Sequence, residues 1–107
     1  HPSNFRIEGF ASQPGLAELS PLARERGLLL LDDVGSGLLH DAPLKGLEHE
    51  PRVRERLRHG ADMVCFSGDK LLGGPQCGLL IGRREAIVRC RAHPLYRALR
   101  CDKLTLA

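Results

Sequence analysis

The sequence predicts an α/β layered fold: a mainly parallel sheet with flanking helices. Three observations predict it. Short continuous apolar runs, Leu28-Leu29-Leu30-Leu31, Met63-Val64-Cys65-Phe66 and Cys77-Gly78-Leu79-Leu80-Ile81, have the length of strands; the leucine run reads as buried on both faces, as in parallel sheets. Segments with apolar residues at helical spacing lie around these runs, so strand and helix alternate. Two of the runs end in polar clusters, Asp32-Asp33 and Ser67-Gly68-Asp69-Lys70. In such sheets ligands bind outside the carboxyl ends of the strands, so these clusters are the first pointer to a site.

The elements follow in order. Residues 4–8 read as a short extended segment before Gly9. Gln13-Pro14-Gly15 opens a helical pattern with Leu16, Leu19, Leu22 and Ala23 on one face, closed by Gly27. Pro21 interrupts it, removes one backbone hydrogen bond and is expected to kink it. After the leucine run, Gly35-Ser36-Gly37 is a tight turn. Glu50-Pro51 starts a second helix, with Pro51 at its first position, Val53 and Leu57 inward, and Arg52, Arg54, Arg56 and Arg58 outward. Gly60 ends it. The second strand, a sharp loop over residues 71–76 and the third strand follow. Residues 84–91 form a third helix with Ile87, Val88 and Cys90 inward; His93-Pro94 breaks it, and a further helical segment runs from Leu95.

Composition narrows the function classes. The chain has 107 residues, 42% apolar and 27% charged, the profile of a folded globular domain. No apolar run approaches the roughly 20 residues a membrane-spanning helix needs, and no secretory signal opens the chain, so the expected location is the cytoplasm. The net charge of +3 is uneven: residues 83–107 hold seven of the 16 Lys/Arg and only two of the 13 Asp/Glu. That end reads either as solvated helix faces or as a surface for an anionic partner. Three Phe, one Tyr and no Trp argue against single-strand binding by base stacking. The four cysteines form no Cys-x-x-Cys pair and the histidines are scattered, so no metal site is expected. Cys65 and Cys77 lie in apolar runs and are expected to be buried thiols.

Lys70, after a strand and before a glycine-rich loop, has two readings. The commoner is a surface lysine in a turn. The other is a nucleophile toward a carbonyl, since a desolvated lysine can lose its proton and form a Schiff base. Pyridoxal phosphate enzymes combine such a lysine with a carboxylate that keeps the pyridine nitrogen protonated and a hydroxyl for the phosphate. Lys70, Asp33 and Ser67 would supply that set.

The literal sequence goes further. Asp33-Val34-Gly35-Ser36-Gly37, then Phe66-Ser67-Gly68-Asp69-Lys70-Leu71-Leu72-Gly73-Gly74-Pro75-Gln76, then His93-Pro94-Leu95-Tyr96-Arg97-Ala98-Leu99-Arg100-Cys101-Asp102-Lys103 closely resemble the bacterial selenocysteine synthases, or L-seryl-tRNA(Sec) selenium transferases. Ser3-Asn4-Phe5-Arg6-Ile7 and Gly9-Phe10 look like the family too. The resemblance implies part of the large, cofactor-binding domain of a fold-type-I pyridoxal 5'-phosphate enzyme over residues 1–107, without the start of that domain and without the small C-terminal domain. The ends of the chain, with no initiating Met and no polar tail, carry the same expectation of a fragment, inactive alone. Lys70 matches the Schiff-base lysine and Asp33 the pyridinium partner, with Asp32 on the opposite face of the strand. Ser36 and Ser67 match cofactor-binding positions. The third strand is expected to be the antiparallel one. Arg97 and Arg100 are three apart and would share a helix face. Spacing alone favours two solvated arginines; the resemblance implies that they bind selenophosphate, with Lys103 structural. Pro21, Cys77 and Tyr96 depart from the family pattern without touching this chemistry.

The implied reaction converts seryl-tRNA(Sec) to selenocysteinyl-tRNA(Sec), by β-elimination to aminoacrylyl-tRNA and addition of selenium from selenophosphate. The implied assembly is a cytoplasmic ring of dimers, with no role for membrane or DNA. Two rival readings stand beside it: a related pyridoxal phosphate lyase acting on a small amino acid or amino sugar, and a non-catalytic basic module binding RNA. The Asp33 and Lys70 pair weighs against the second rival.

Overall fold

The computed structural model describes residues 7–41 and 44–107. Its elements are α1 (Leu16–Glu25), β1 (Leu31–Gly35), α2 (Val53–Arg58), β2 (Met63–Ser67), β3 (Gly78–Gly82), α3 (Arg84–Ala92), α4 (Pro94–Leu99) and α5 (Lys103–Leu106). The strands form one sheet in the order β1-β2-β3, with β1 and β2 parallel and β2 and β3 antiparallel. The fold is thus α/β, and the third strand is the antiparallel one. Of the extended segment expected at 4–8, residues 4–6 lie outside the described residues, as do most of the family-like residues 3–7; Ile7 and Glu8 belong to no strand.

Local chemistry explains where α1 starts and stops. The Glu18 carboxylate reaches back to accept the Gly15 N–H at 3.1 Å. At the other end the Gly27 N–H bonds the Arg24 carbonyl and the Leu28 N–H the Ala23 carbonyl, a Schellman closure that needs Gly27 at its φ of +63°. The helix continues through Pro21 to Glu25.

One face of the sheet carries the core. Val34, Val64 and Phe66 pack with Leu16 of α1, Val53 of α2 and Ala61, and Leu30, Leu57 and Leu79 close around them. Val64, in the central strand, is fully buried. Each such side chain contributes about 1.5–3 kcal/mol relative to exposure.

Several expectations are corrected. The leucine run is not the first strand. β1 begins at Leu31, and Leu28, Leu29 and Leu31 are exposed. Leu30 instead joins β2 through Asp62: its N–H donates to the Asp62 carboxylate at 2.8 Å and its carbonyl accepts the Asp62 N–H at 2.9 Å. Both aspartates therefore lie inside β1, not beyond its end. Pro51 is not the first helical residue. Leu38 and Arg52 form a parallel bridge and the Val53 N–H bonds the Leu38 carbonyl at 3.0 Å, which keeps Arg52 extended and delays α2 to Val53. Arg56 is half-buried and paired with Asp32. On α3 the buried residue is Ala86, while Val88 is exposed. Cys65 and Cys77 are half-buried.

Candidate functional site

β1 and β2 run parallel side by side, so their carboxyl ends lie at the same edge of the sheet. The turn after β1 carries Ser36, and the loop after β2 carries Lys70. Pleating separates the two aspartates: Asp32 turns toward α2, where its Oδ2 accepts from Arg56 Nε at 2.5 Å, while Asp33 is exposed on the other face. That separation is the one expected from the resemblance.

The chain leaves β1 through a bulge. Asp33 pairs with Cys65 and Gly35 with Phe66, which leaves Val34 as the extra residue. A γ-turn follows at once: the Ser36 N–H bonds the Val34 carbonyl at 2.7 Å across Gly35, whose φ is +69°. The Gly35 N–H donates to Asp33 Oδ1 at 3.0 Å. One carboxylate oxygen of Asp33 is thereby fixed to its own turn. Gly37 also has positive φ, and a Cβ there would overlap the Phe66 ring. The turn therefore sits directly on the end of β2.

Cys65 stands opposite Asp33 across the ladder. Burial, and then the nearby Asp33 and Asp32 charges, push its thiol up from the ordinary range, with a hydrogen bond to Asp33 adding to the effect. Neither this pairing nor the Ser36 contact below could be found from local spacing, because the partners are distant in sequence.

Ser67 is the last residue of β2 and is half-buried. The loop it opens is pinned at its base: the Gly68 N–H bonds the Cys77 carbonyl at 2.9 Å, and the Gly74 N–H bonds the Gly68 carbonyl at 2.9 Å. Cys77 Sγ fills the space a Cβ on Gly68 would occupy. Lys70 lies exposed within this loop, and its carbonyl accepts the Gly73 N–H at 3.0 Å.

Ser36 is buried, and its hydroxyl donates to Glu50 Oε2 at 2.5 Å. Its only proton is thus committed within the protein, and Glu50 is a residue that motif reading passed over. Arg97 and Arg100 are exposed and do not share a helix. α4 ends at Leu99, and Arg100 caps it in an extended conformation (φ −63°, ψ 142°). α4 packs on α3, which packs on β3. Among the described residues no cluster of His, Cys, Asp and Glu could hold a metal ion, and no helix is long and apolar enough to cross a membrane.

Comparison with known proteins adds the following. The family model described as L-seryl-tRNA selenium transferase matches residues 1–107. The L-seryl-tRNA(Sec) selenium transferases of Rhizobium meliloti, Hyphomonas neptunium and Shewanella oneidensis are 55%, 54% and 53% identical over 107 residues. Those alignments cover 100% of this chain and 23% of each relative, so the chain spans about a quarter of their length. A solved structure of D-glucosaminate-6-phosphate ammonia-lyase superimposes with a TM-score of 0.65 at 24% identity, over 88% of this chain and 22% of that one. That likeness shows a shared fold.

Proposed function

The chain belongs to the L-seryl-tRNA selenium transferase family, and we propose that it is part of the large, cofactor-binding domain of a cytoplasmic enzyme that replaces the serine hydroxyl of seryl-tRNA(Sec) with selenium from selenophosphate. The observation that carries this reading is that Asp33, in β1, and Lys70, in the loop that leaves β2, belong to neighbouring parallel strands whose carboxyl ends share one edge. As in the family, the working assembly would be a ring of dimers.

The residues fit pyridoxal 5'-phosphate. Asp33 is exposed and the Gly35 N–H fixes its Oδ1, so Oδ2 is the oxygen that would face a protonated ring nitrogen. Lys70 is exposed in the loop that leaves the carboxyl end of β2, and that loop is pinned at its base. Bound there, the cofactor would supply an electron sink for the substrate carbon that loses its proton.

The remaining work falls to the chain. Lys70 Nζ would carry the cofactor and move protons at the substrate's α-carbon and departing hydroxyl. Asp33 would hold the ring proton in place. The Ser67 hydroxyl, at the end of β2, would donate to the cofactor phosphate. Arg97 and Arg100 would hold selenophosphate through their planar donor forks.

The test is attachment. Borohydride reduction of the full-length protein should leave a pyridoxyl label on Lys70. Recovery of the label on Lys45 or Lys103, or no label at all, would refute the assignment.

A further inference from the structure

Ser36 and Glu50 are 14 positions apart, yet their side chains meet beside the turn that follows β1. Ser36 is one of only two buried polar residues among the described residues, the other being Ser20. Its hydroxyl donates to the Glu50 carboxyl group, which satisfies the one donor it buries. Glu50 is itself held, since its N–H bonds the Leu47 carbonyl at 3.2 Å. The bridge from Leu38 to Arg52 lies just beyond it and closes the base of the same excursion of chain.

We infer that Glu50 is a positioning residue for Asp33: it holds the Ser36 hydroxyl and so fixes the Gly35-Ser36-Gly37 turn, whose Gly35 N–H in turn fixes Asp33 Oδ1. The inference rests on the reading that Asp33 faces the cofactor, and it gives Ser36 a different task from contact with the cofactor. The turn has three anchors. Asp33 holds Gly35 from below, the Phe66 ring abuts Gly37, and Glu50 holds Ser36 between them. At Gly37 the Phe66 ring leaves no room for a side chain. Glu50 is the anchor that comes from outside the two strands, and it reports the position of the chain entering α2. Removing its carboxylate leaves the Ser36 hydroxyl buried without an acceptor, and the turn must shift to satisfy it. Asp33 then loses its fixed oxygen.

A double-mutant cycle in the full-length, cofactor-loaded protein tests this, with Glu50→Ala, Ser36→Ala, the pair together, and Glu50→Gln, which keeps an acceptor oxygen. Three properties are read: the borohydride label on Lys70, the visible absorbance of the bound cofactor with its pH dependence, and kcat against KM for seryl-tRNA. All variants should keep the label. Each single alanine change should shift the cofactor absorbance in the same direction and lower kcat about 10-fold at unchanged KM, less than the ~100-fold of a 1 Å misplacement. The double change should be no worse than either single one, and Glu50→Gln should recover most of the loss. Multiplying losses in the double variant, or a Glu50→Ala spectrum and pH dependence identical to the unmodified protein, would overturn the inference. Absence of the label on Lys70 in the unmodified protein would instead overturn the functional reading, and the inference with it.

Discussion

Asp33 and Cys65 stand opposite one another across the parallel β1–β2 ladder, and the Asp33 carboxylate helps push the half-buried Cys65 thiol up from its ordinary range. Burial and the adjacent anion both disfavour the thiolate. At a given pH Cys65 therefore reacts more slowly with alkylating reagents than an ordinary thiol. Asp33→Asn removes the anion and leaves the burial. Cys65 should then be alkylated roughly two- to ten-fold faster in cofactor-free protein at mildly alkaline pH. Mass spectrometry of the peptide carrying Cys65 gives the rate. An unchanged rate would show that the thiol does not sense Asp33.

The two aspartates of β1 should fail differently. Asp33→Asn removes the charge proposed to face the ring nitrogen and should slow turnover on the order of 100-fold while leaving some cofactor bound. Asp32→Asn breaks the half-buried pair with Arg56 and should instead lower stability by about 1–2 kcal/mol, between the exposed and fully buried cases. Turnover and chemical denaturation of both variants separate the two effects. A damaging Asp32→Asn beside a silent Asp33→Asn in the turnover assay would mean that the wrong carboxylate has been assigned to the cofactor.

The position of these aspartates was the hardest feature to read from the chain. Four consecutive leucines are a stronger local signal for a strand than Leu31-Asp32-Asp33-Val34-Gly35, yet the strand is the latter. Two aspartates are tolerated there because Arg56, 24 positions on, neutralises one and the other lies on an exposed face. Both conditions are tertiary. The Ser36–Glu50 bond was hidden for the same reason. In contrast, α1, β2, β3 and α3 were legible within a residue or two, because Gly15, Gly27, Gly60 and Gly82 punctuate short apolar patterns that need no distant partner to be recognised. For the candidate site, the Ser67 to Lys70 cluster does follow the carboxyl end of β2, whereas Asp32 and Asp33 lie within β1 rather than beyond its end. The helix face assigned to Arg97 and Arg100 failed because a spacing of three says nothing about where a helix stops.

Asp62 links Leu30 to Arg83, the residue that precedes α3, and should make the fold acid-sensitive. The Leu30 N–H, and then Arg83 at 3.0 Å, hold its carboxyl below the usual carboxylate range. A carboxyl depressed on folding adds stability that is fully present above its unfolded pKa and is lost as pH falls through its folded pKa. Asp62→Asn should therefore cost on the order of 1 kcal/mol near neutral pH, with the difference closing in acid. Denaturation of both proteins across that range checks it. A gap that persists after the carboxyl is protonated would assign the effect to packing.

Arg97 and Arg100 give the last test. Arg97 projects from α4, whose start is set by the His93 side chain accepting the Leu95 N–H at 3.2 Å. Arg100 follows the end of that helix on extended backbone. Two guanidinium groups on differently oriented backbone can approach a tetrahedral anion from different sides, which two groups stacked along one helix face cannot do as well. Each hydrogen bond to a charged group is worth about 1.5–3 kcal/mol. Arg97→Ala and Arg100→Ala should each raise the selenophosphate requirement by roughly 10- to 100-fold while leaving the pyridoxyl label on Lys70. Replacement by Lys should recover little, because a point charge does not reproduce the planar fork. Steady-state rates against selenophosphate, with tRNA binding measured separately, decide the matter. Normal selenophosphate dependence with weakened tRNA binding would assign these arginines to the nucleic acid, and no change in either would leave them as solvated side chains.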